Sequence, residues 1–77
     1  MLEKRSITLS GHRTSVALEP EFWSALALVA KAGGCTLAAL VAETDAARPP
    51  GRPLASALRV RALRECPDEA ARVSPRR

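Results

Sequence analysis

The first part of the chain alternates polar and apolar residues with a period of two. Residues 4–10 alternate isoleucine and leucine with hydroxyl side chains, residues 12–18 alternate valine and leucine with polar or small side chains, and Gly11 separates the two stretches. Side chains two positions apart share one face of a strand, so this period predicts extended structure with one apolar face. Gly11 predicts a bend or a bulge between the two stretches.

Helical spacing replaces the period of two further along the chain. Pro20 suits the first position of a helix, where its missing N–H leaves no hydrogen bond unmade, and Gly33 with Gly34 suits the end of that helix. Thr36 suits the N-cap of a second helix, which we expect over residues 37–47. The expected core stripe of the first helix is Phe22, Leu26, Val29 and Ala30, with Trp23 at its flank. We expect Trp23 to lie in the core of the dimer, where its N–H needs a partner or the edge of its indole reaches solvent.

A proline-rich loop follows, and a third helix is predicted over residues 54–66, ending before Pro67. The segment beyond that helix has too little apolar content to fold. We therefore divide the chain into a domain at residues 1–66 and a flexible basic tail at residues 67–77.

A strand needs a neighbour for its backbone N–H and C=O groups, and two neighbours are available for residues 12–18. Residues 5–10 can fold back on them, but only Gly11 lies at the junction, and a two-residue hairpin normally has a pair such as Asn-Gly. The same strand of a second copy is favoured, also because a chain of 77 residues buries little core alone. The predicted fold is mostly α with one β-strand per chain, in an intertwined homodimer with an intermolecular two-stranded antiparallel ribbon and an extra C-terminal helix.

The net charge of +4 is spread unevenly along the chain. Residues 48–77 carry eight arginines against three acidic residues, whereas residues 1–47 carry four basic residues against five acidic ones. A small basic protein favours a polyanionic partner such as nucleic acid. A solvated, arginine-rich surface is the alternative interpretation of the same pattern.

Cysteine and histidine usage argues against a metal centre and an active site. Cys35 and Cys66 form no CxxC pair, and His12 is the only other soft ligand. With no clustered nucleophile and base, we expect no catalytic residues, no enzyme activity and no cofactor. No leader segment and no apolar run of membrane-spanning length is evident, so we expect a cytoplasmic protein without a membrane partner, in which both cysteines are reduced and buried.

The order of these elements and their motifs resembles the ribbon-helix-helix superfamily of bacterial DNA-binding proteins. More narrowly, it resembles small members in which GHRTS precedes an apolar residue and is followed by E-x-x-FW-x-x-L, LVAE-x-D and SALRV. These motifs lie here at residues 11–16, 19–26, 40–45 and 56–60, and the match as a whole covers residues 4–63.

The resemblance implies a homodimer that binds double-stranded DNA and regulates transcription, as a repressor or an antitoxin-like protein. Alternation places Arg13, Ser15 and Ala17 on one face of the strand, and the resemblance implies that this face enters the major groove. Arg13 is then the main base reader, because its guanidinium can bond two acceptors of a guanine. An ordinary exposed strand arginine is the alternative.

Phosphate contacts are expected at two places beside this strand. Thr36 and Leu37 start the second helix, where free N–H groups and the helix dipole favour an anion, although a plain N-cap is equally consistent. Lys4, Arg5 and His12 can reach the DNA backbone from the N-terminal region, the first two as a flexible arm. A solvated N-terminus and a strand-end hydrogen bond of His12 are the alternatives.

A different class of function is also consistent with the sequence. The same dimer can serve as a protein-interaction module that binds an acidic protein partner, a toxin or another, through the arginine-rich C-terminal region at residues 48–77. The position of the charge separates the two hypotheses, because the strand itself carries only Arg13.

Overall fold

The first part of the chain forms an antiparallel β-hairpin. The computed structural model describes residues 1–66, in which strand β1 (Glu3–Leu9) pairs with strand β2 (His12–Leu18) of the same chain. The prediction of one strand per chain is therefore wrong, and the two-stranded ribbon is complete within one chain. The expected homodimer stays a prediction.

The hairpin forms because two residues, not one, supply the turn. Leu9 pairs with His12, which leaves Ser10 and Gly11 as a two-residue loop with φ angles of 51° and 82°. Positive φ at both central residues gives the type I′ turn, whose twist matches that of the flanking strands. The sequence prediction placed only Gly11 at this junction, although a Ser-Gly pair is itself a turn signal.

The three predicted helices are confirmed, with bounds close to those expected. Helix α1 is Pro20–Ala32, α2 is Leu37–Ala47 and α3 is Leu54–Glu65. The Thr36 hydroxyl accepts a hydrogen bond from the Ala39 N–H at 3.0 Å, so the predicted N-cap is also present.

One hydrophobic core joins the hairpin to the helices. Its largest fully buried side chains are Trp23, Leu18, Leu26, Leu40, Leu58 and Val41. Trp23 takes the inward position that was predicted for Phe22, which is only half-buried at the edge of the core. Helix α3 packs against α1, α2 and β2, and its Leu58 and Ala62 are buried in this core.

Trp23 also fixes the hairpin to α1. Its Nε1–H donates to the backbone carbonyl oxygen of Glu3 at 2.8 Å, and the guanidinium carbon of Arg5 lies 4.8 Å from the centre of its ring. The buried indole therefore has its polar atom satisfied. Arg5 Nε in turn donates to the Glu3 carboxylate at 2.8 Å.

Two arginines of α3 form salt bridges with other elements. Arg59 contacts Glu19, at the start of α1, at 3.0 Å, and Arg61 contacts Glu43 of α2 at 2.9 Å. The pKa of Glu19 is lowered, first by a hydrogen bond from the backbone N–H of Glu19 itself and then by the hydrogen bond from Arg59. Burial lowers the pKa of Arg61, but its bonds to Glu43 and Glu65 outweigh burial and leave that pKa raised.

Cys66 is buried as predicted, whereas Cys35 is exposed, so its expected burial is wrong. Cys35 lies in the turn between α1 and α2, where the chain has left the helical surface that faces the core.

Within residues 1–66, no single helix is long and apolar enough to cross a membrane. Helices α1 and α2 taken together meet the same criteria of length and composition, but they are bent by 97° relative to each other. The tail predicted at residues 67–77 lies outside the described residues.

Candidate nucleic-acid interface

The register of the hairpin sorts its side chains into two faces. Residues directly opposite each other in an antiparallel pair share a face. The inner face, which packs on the helices, carries Val16 and Leu18 of β2. The other face, which we call the outward face, consists of three cross-strand pairs: Lys4 with Ala17, Ser6 with Ser15, and Thr8 with Arg13.

The outward face is cationic. Lys4 and Arg13 are both exposed, and within residues 1–66 neither side chain forms a salt bridge or a hydrogen bond. None of the six residues on this face is acidic, because the one carboxylate of the hairpin, Glu3, lies opposite Leu18 on the inner face. Unpaired cations on a surface that lacks carboxylates attract an anion.

The structure brings together the three residues predicted to read bases. Arg13, Ser15 and Ala17 lie in a row on the outward face, with the first two exposed and Ala17 half-buried. Ser6 and Thr8 share this face but are absent from the predicted set. The period of two over residues 4–10 carried the signal for them, and it was missed because β1 was not expected to pair with β2.

The predicted phosphate contacts from the N-terminal region are divided between the faces. Lys4 lies on the outward face, whereas Arg5 and His12 belong to the inner-face register, with Arg5 held over Trp23. Lys4 and Arg5 lie within β1, so they do not form a flexible arm. His12 is exposed at the end of the hairpin next to the turn.

The start of α2 lies beside β1. A surface groove of about 350 Å³ separates them, lined by Arg5, Ser6, Ile7, Thr8, Leu37 and Ala38. Thr36 accepts from the Ala39 N–H through its side chain and from the Leu40 N–H through its carbonyl. The N–H groups of Leu37 and Ala38 belong to the first helical turn, where no carbonyl of the helix can accept from them. Within residues 1–66 they donate to no backbone acceptor outside the helix, so they are available to an anion at the start of α2.

The arginine-rich region is less available than its composition indicates. Arg59 and Arg61 are engaged by carboxylates of other elements, and Arg48 donates to Asp45 and to the carbonyl oxygen of Arg52. Among the arginines at positions 48–66, only the side chains of Arg52 and Arg64 form no hydrogen bond or salt bridge. Of the five arginines at positions 48–66, Arg59 and Arg61 therefore join α3 to other elements, and Arg48 bonds locally at the end of α2.

In the part of the chain that the structure describes, no group of three or more His, Cys, Asp or Glu side chains is arranged to hold a metal ion.

Comparison with known protein families gives a match over most of the chain. The sequence model of the family described as "Ribbon-helix-helix domain" matches residues 2–66. No curated protein and no solved structure matches the chain.

Proposed function

Because the chain belongs to the ribbon-helix-helix domain family, we propose that it binds double-stranded DNA sequence-specifically and regulates transcription, as a repressor or in the manner of an antitoxin. The family consists generally of DNA-binding transcription regulators. The observation that carries the proposal for this chain is the outward face, which has no carboxylate and whose two cations form no salt bridge within residues 1–66.

A two-stranded ribbon has the right size for the major groove. Its strands lie about 4.8 Å apart, and the groove is about 12 Å wide. Arg13 takes the O6 and N7 acceptors of a guanine, Ser15 donates to or accepts from a neighbouring base, and the Ala17 methyl contacts a thymine methyl. These three contacts give the sequence preference.

Phosphate contacts orient the ribbon on the duplex. The free N–H groups at the start of α2, next to the Thr36 cap, bind one phosphate through Leu37. Lys4 adds a charge contact, and Arg5, whose Nε alone bonds Glu3, still offers its terminal nitrogens. His12 donates to a phosphate from the end of the hairpin. These contacts strengthen binding to every sequence alike.

We further propose that the chain acts in the cytoplasm as a homodimer. The family typically binds DNA as dimers. A two-fold axis presents each outward face twice, so the preferred site has two inverted half-sites. The spacing of the half-sites then reports the distance between the two hairpins.

The Arg13→Ala variant tests the proposal. We expect it to bind a duplex selected by the wild-type protein from a randomised pool about 10- to 100-fold more weakly, since a bidentate arginine–guanine contact is lost. Fluorescence anisotropy with a labelled duplex measures the affinity. Lys31→Ala, which removes a cation at the end of α1, is the matched control and stays close to wild type. Equal affinities for both variants, or no salt-dependent binding by the wild-type protein, would overturn the proposal.

The second candidate, an interaction module for an acidic protein, has support from Arg52 and Arg64, which are exposed and whose side chains bond to nothing within residues 1–66. Removing α3 cannot test it, because Leu58 is fully buried and its loss would unfold the core. The double variant Arg52→Ala/Arg64→Ala is the suitable test. Loss of a protein partner with DNA affinity unchanged would favour this candidate for the C-terminal region.

A further inference from the structure

A second cationic surface lies at the end of α2, and no residue of the hairpin takes part in it. A groove of about 250 Å³ runs there between the end of α2, the proline-rich loop and α3. Four of the five arginines at positions 48–66 line it, namely Arg48, Arg52, Arg61 and Arg64. We propose that this groove, which we call the arginine groove, binds the phosphate group of a small molecule. The inference goes beyond DNA binding and does not depend on it.

Two of these arginines have no counter-ion in the part of the chain that the structure describes. Arg52 and Arg64 are exposed, and neither side chain forms a hydrogen bond or a salt bridge there. The carboxylate that lines the groove beside them, Glu65, accepts from Arg61 at 3.1 Å. Two like charges therefore border one groove, and an anion bound between them offsets their repulsion.

The other two arginines are held in place by carboxylates. Arg48 donates to Asp45 at 2.8 Å. Arg61 contacts Glu43 at 2.9 Å and Glu65 at 3.1 Å. Their charges are compensated within the protein, so the charge that the groove offers to a ligand is that of the two arginines without a counter-ion.

This charge favours a phosphate group over a single carboxylate. A phosphomonoester carries a charge of about −1.5 to −2 at pH 7 and has three strong acceptor oxygens, so it matches the two positive charges of Arg52 and Arg64. A carboxylate has one negative charge and leaves one of them uncompensated. The end of α2 and the start of α3 both border the groove, so their dipoles oppose each other and the arginines set its potential.

The floor and the size of the groove indicate what the phosphate is attached to. Its volume lies just below the range of about 300–1,000 Å³ that is usual for drug-sized ligands, which favours one small group beside the phosphate. The groove lies about 15 Å along α2 from Leu37, so it is separate from the proposed DNA phosphate contact. The part between the arginines is apolar, which suits a ring or a short carbon chain, and is formed by Ala47, Pro49, Ala57 and Val60.

An NMR titration of the full chain with phenyl phosphate at about pH 7.5 tests the inference. At this pH the phosphate is mostly dianionic, because its second pKa is about 6. We expect saturable shifts of backbone amides that line the groove, such as those of Ala47 and Ala57. Arg52→Ala/Arg64→Ala should bind about 10- to 100-fold more weakly, because charge-assisted hydrogen bonds are lost. Benzoate, which carries a carboxylate on the same ring, should bind more weakly than phenyl phosphate.

Two further variants separate a built site from general attraction. Lys4→Ala/Arg13→Ala is the charge-matched control, since it removes two cations from the outward face, and its affinity for phenyl phosphate should equal that of the wild type. Arg52→Lys/Arg64→Lys keeps both charges and removes both planar forks, so an intermediate affinity is expected. Urea denaturation checks that each variant is folded.

Four outcomes would overturn the inference. The first is the absence of saturable binding, and the second is an equal loss in both alanine variants, which would indicate attraction by net charge alone. The third is that benzoate binds as tightly as phenyl phosphate, which would favour an acidic protein partner. The fourth is a loss of duplex affinity in Arg52→Ala/Arg64→Ala without binding of phenyl phosphate, which would assign the groove to the DNA backbone. None of them changes the result expected for Arg13→Ala, so DNA binding through the outward face is tested separately.

Discussion

At the scale of single residues, Trp23 combines burial in the core with a hydrogen bond to the hairpin. It is 1% exposed within the core, and its Nε1–H satisfies the Glu3 carbonyl oxygen at 2.8 Å. A phenylalanine at this position would lose this hydrogen bond and would leave a small void in the core. We expect Trp23→Phe to lower the free energy of unfolding by about 2–3 kcal/mol.

Urea denaturation followed by circular dichroism measures this loss, since Trp23 is the only tryptophan and its fluorescence disappears in the variant. Leu28→Ala is the control on the same helix, because Leu28 is an exposed apolar residue, and its cost should stay within about 0.5 kcal/mol. Similar costs for the two variants would show that Trp23 does not fix the hairpin to α1.

The same residue shows what the sequence leaves open at this scale. Helical spacing identifies Leu26, Val29 and Ala30 as buried, and they are. It does not decide between Phe22 and Trp23, which are adjacent and lie about 100° apart around the helix. The hairpin favours Trp23, because the Glu3 carbonyl oxygen accepts a hydrogen bond from the indole and Arg5 stacks on the indole ring.

At the scale of elements, the helices were predictable because each has a local signal at its ends. Pro20 starts α1, Thr36 caps α2, and prolines border α3. The pairing of the strands was not predictable from the same kind of signal, since it depends on Ser10 taking a positive φ that serine rarely adopts. The Ser10-Gly11 turn has only a moderate intrinsic preference for this conformation. It is stable here because Leu9, Val16 and Leu18 of the flanking strands are buried against the helices.

Helix α3 is held by Arg61 as well as by its apolar residues. Arg61 contacts Glu43 at 2.9 Å, Glu65 at 3.1 Å and the Thr44 hydroxyl at 3.2 Å, with its side chain 23% exposed. We expect Arg61→Ala to destabilise the fold by about 1–2 kcal/mol, a value reduced for the solvent around Glu43. Urea denaturation followed by Trp23 fluorescence measures it.

Arg64→Ala is the matched control on α3, because Arg64 is exposed and has no side-chain partner within residues 1–66. Its cost should stay within about 0.5 kcal/mol. If Arg64→Ala costs as much as Arg61→Ala, the loss reflects the helix as a whole and not the contacts of Arg61.

At the scale of the whole molecule, tertiary salt bridges change what the distribution of charge along the sequence indicates. The sequence shows eight arginines in residues 48–77 and suggests a surface for a partner, but Arg59 and Arg61 bond carboxylates that lie far away in the sequence. Tertiary pairing of this kind has no local signal. Alternation in the sequence predicted that Arg13, Ser15 and Ala17 share the outward face. It did not predict that Ser6 and Thr8 lie beside them, because that depends on the pairing of β1 with β2.

A cross-strand disulfide tests whether one chain completes its own ribbon in solution. Ser6 and Ser15 are directly opposite in a non-hydrogen-bonded pair, where Cα atoms lie about 4.5 Å apart, within the range of a disulfide. In a Cys35→Ser background, we expect oxidised Ser6→Cys/Ser15→Cys to migrate as a monomer on a non-reducing gel. Closing this short loop should also stabilise the fold by about 2–3 kcal/mol.

The single variant Ser15→Cys in the same background separates the two ways in which copies can associate. It has no opposite cysteine within its own hairpin, so a rapid covalent dimer requires β2 of one copy to lie against β2 of another. That edge is free in one chain, because no other element hydrogen-bonds to the backbone of Arg13, Ser15 or Ala17 within residues 1–66. A covalent dimer from the double variant, in place of the monomer, would show that the ribbon forms between chains, and the half-site would then be read by two copies.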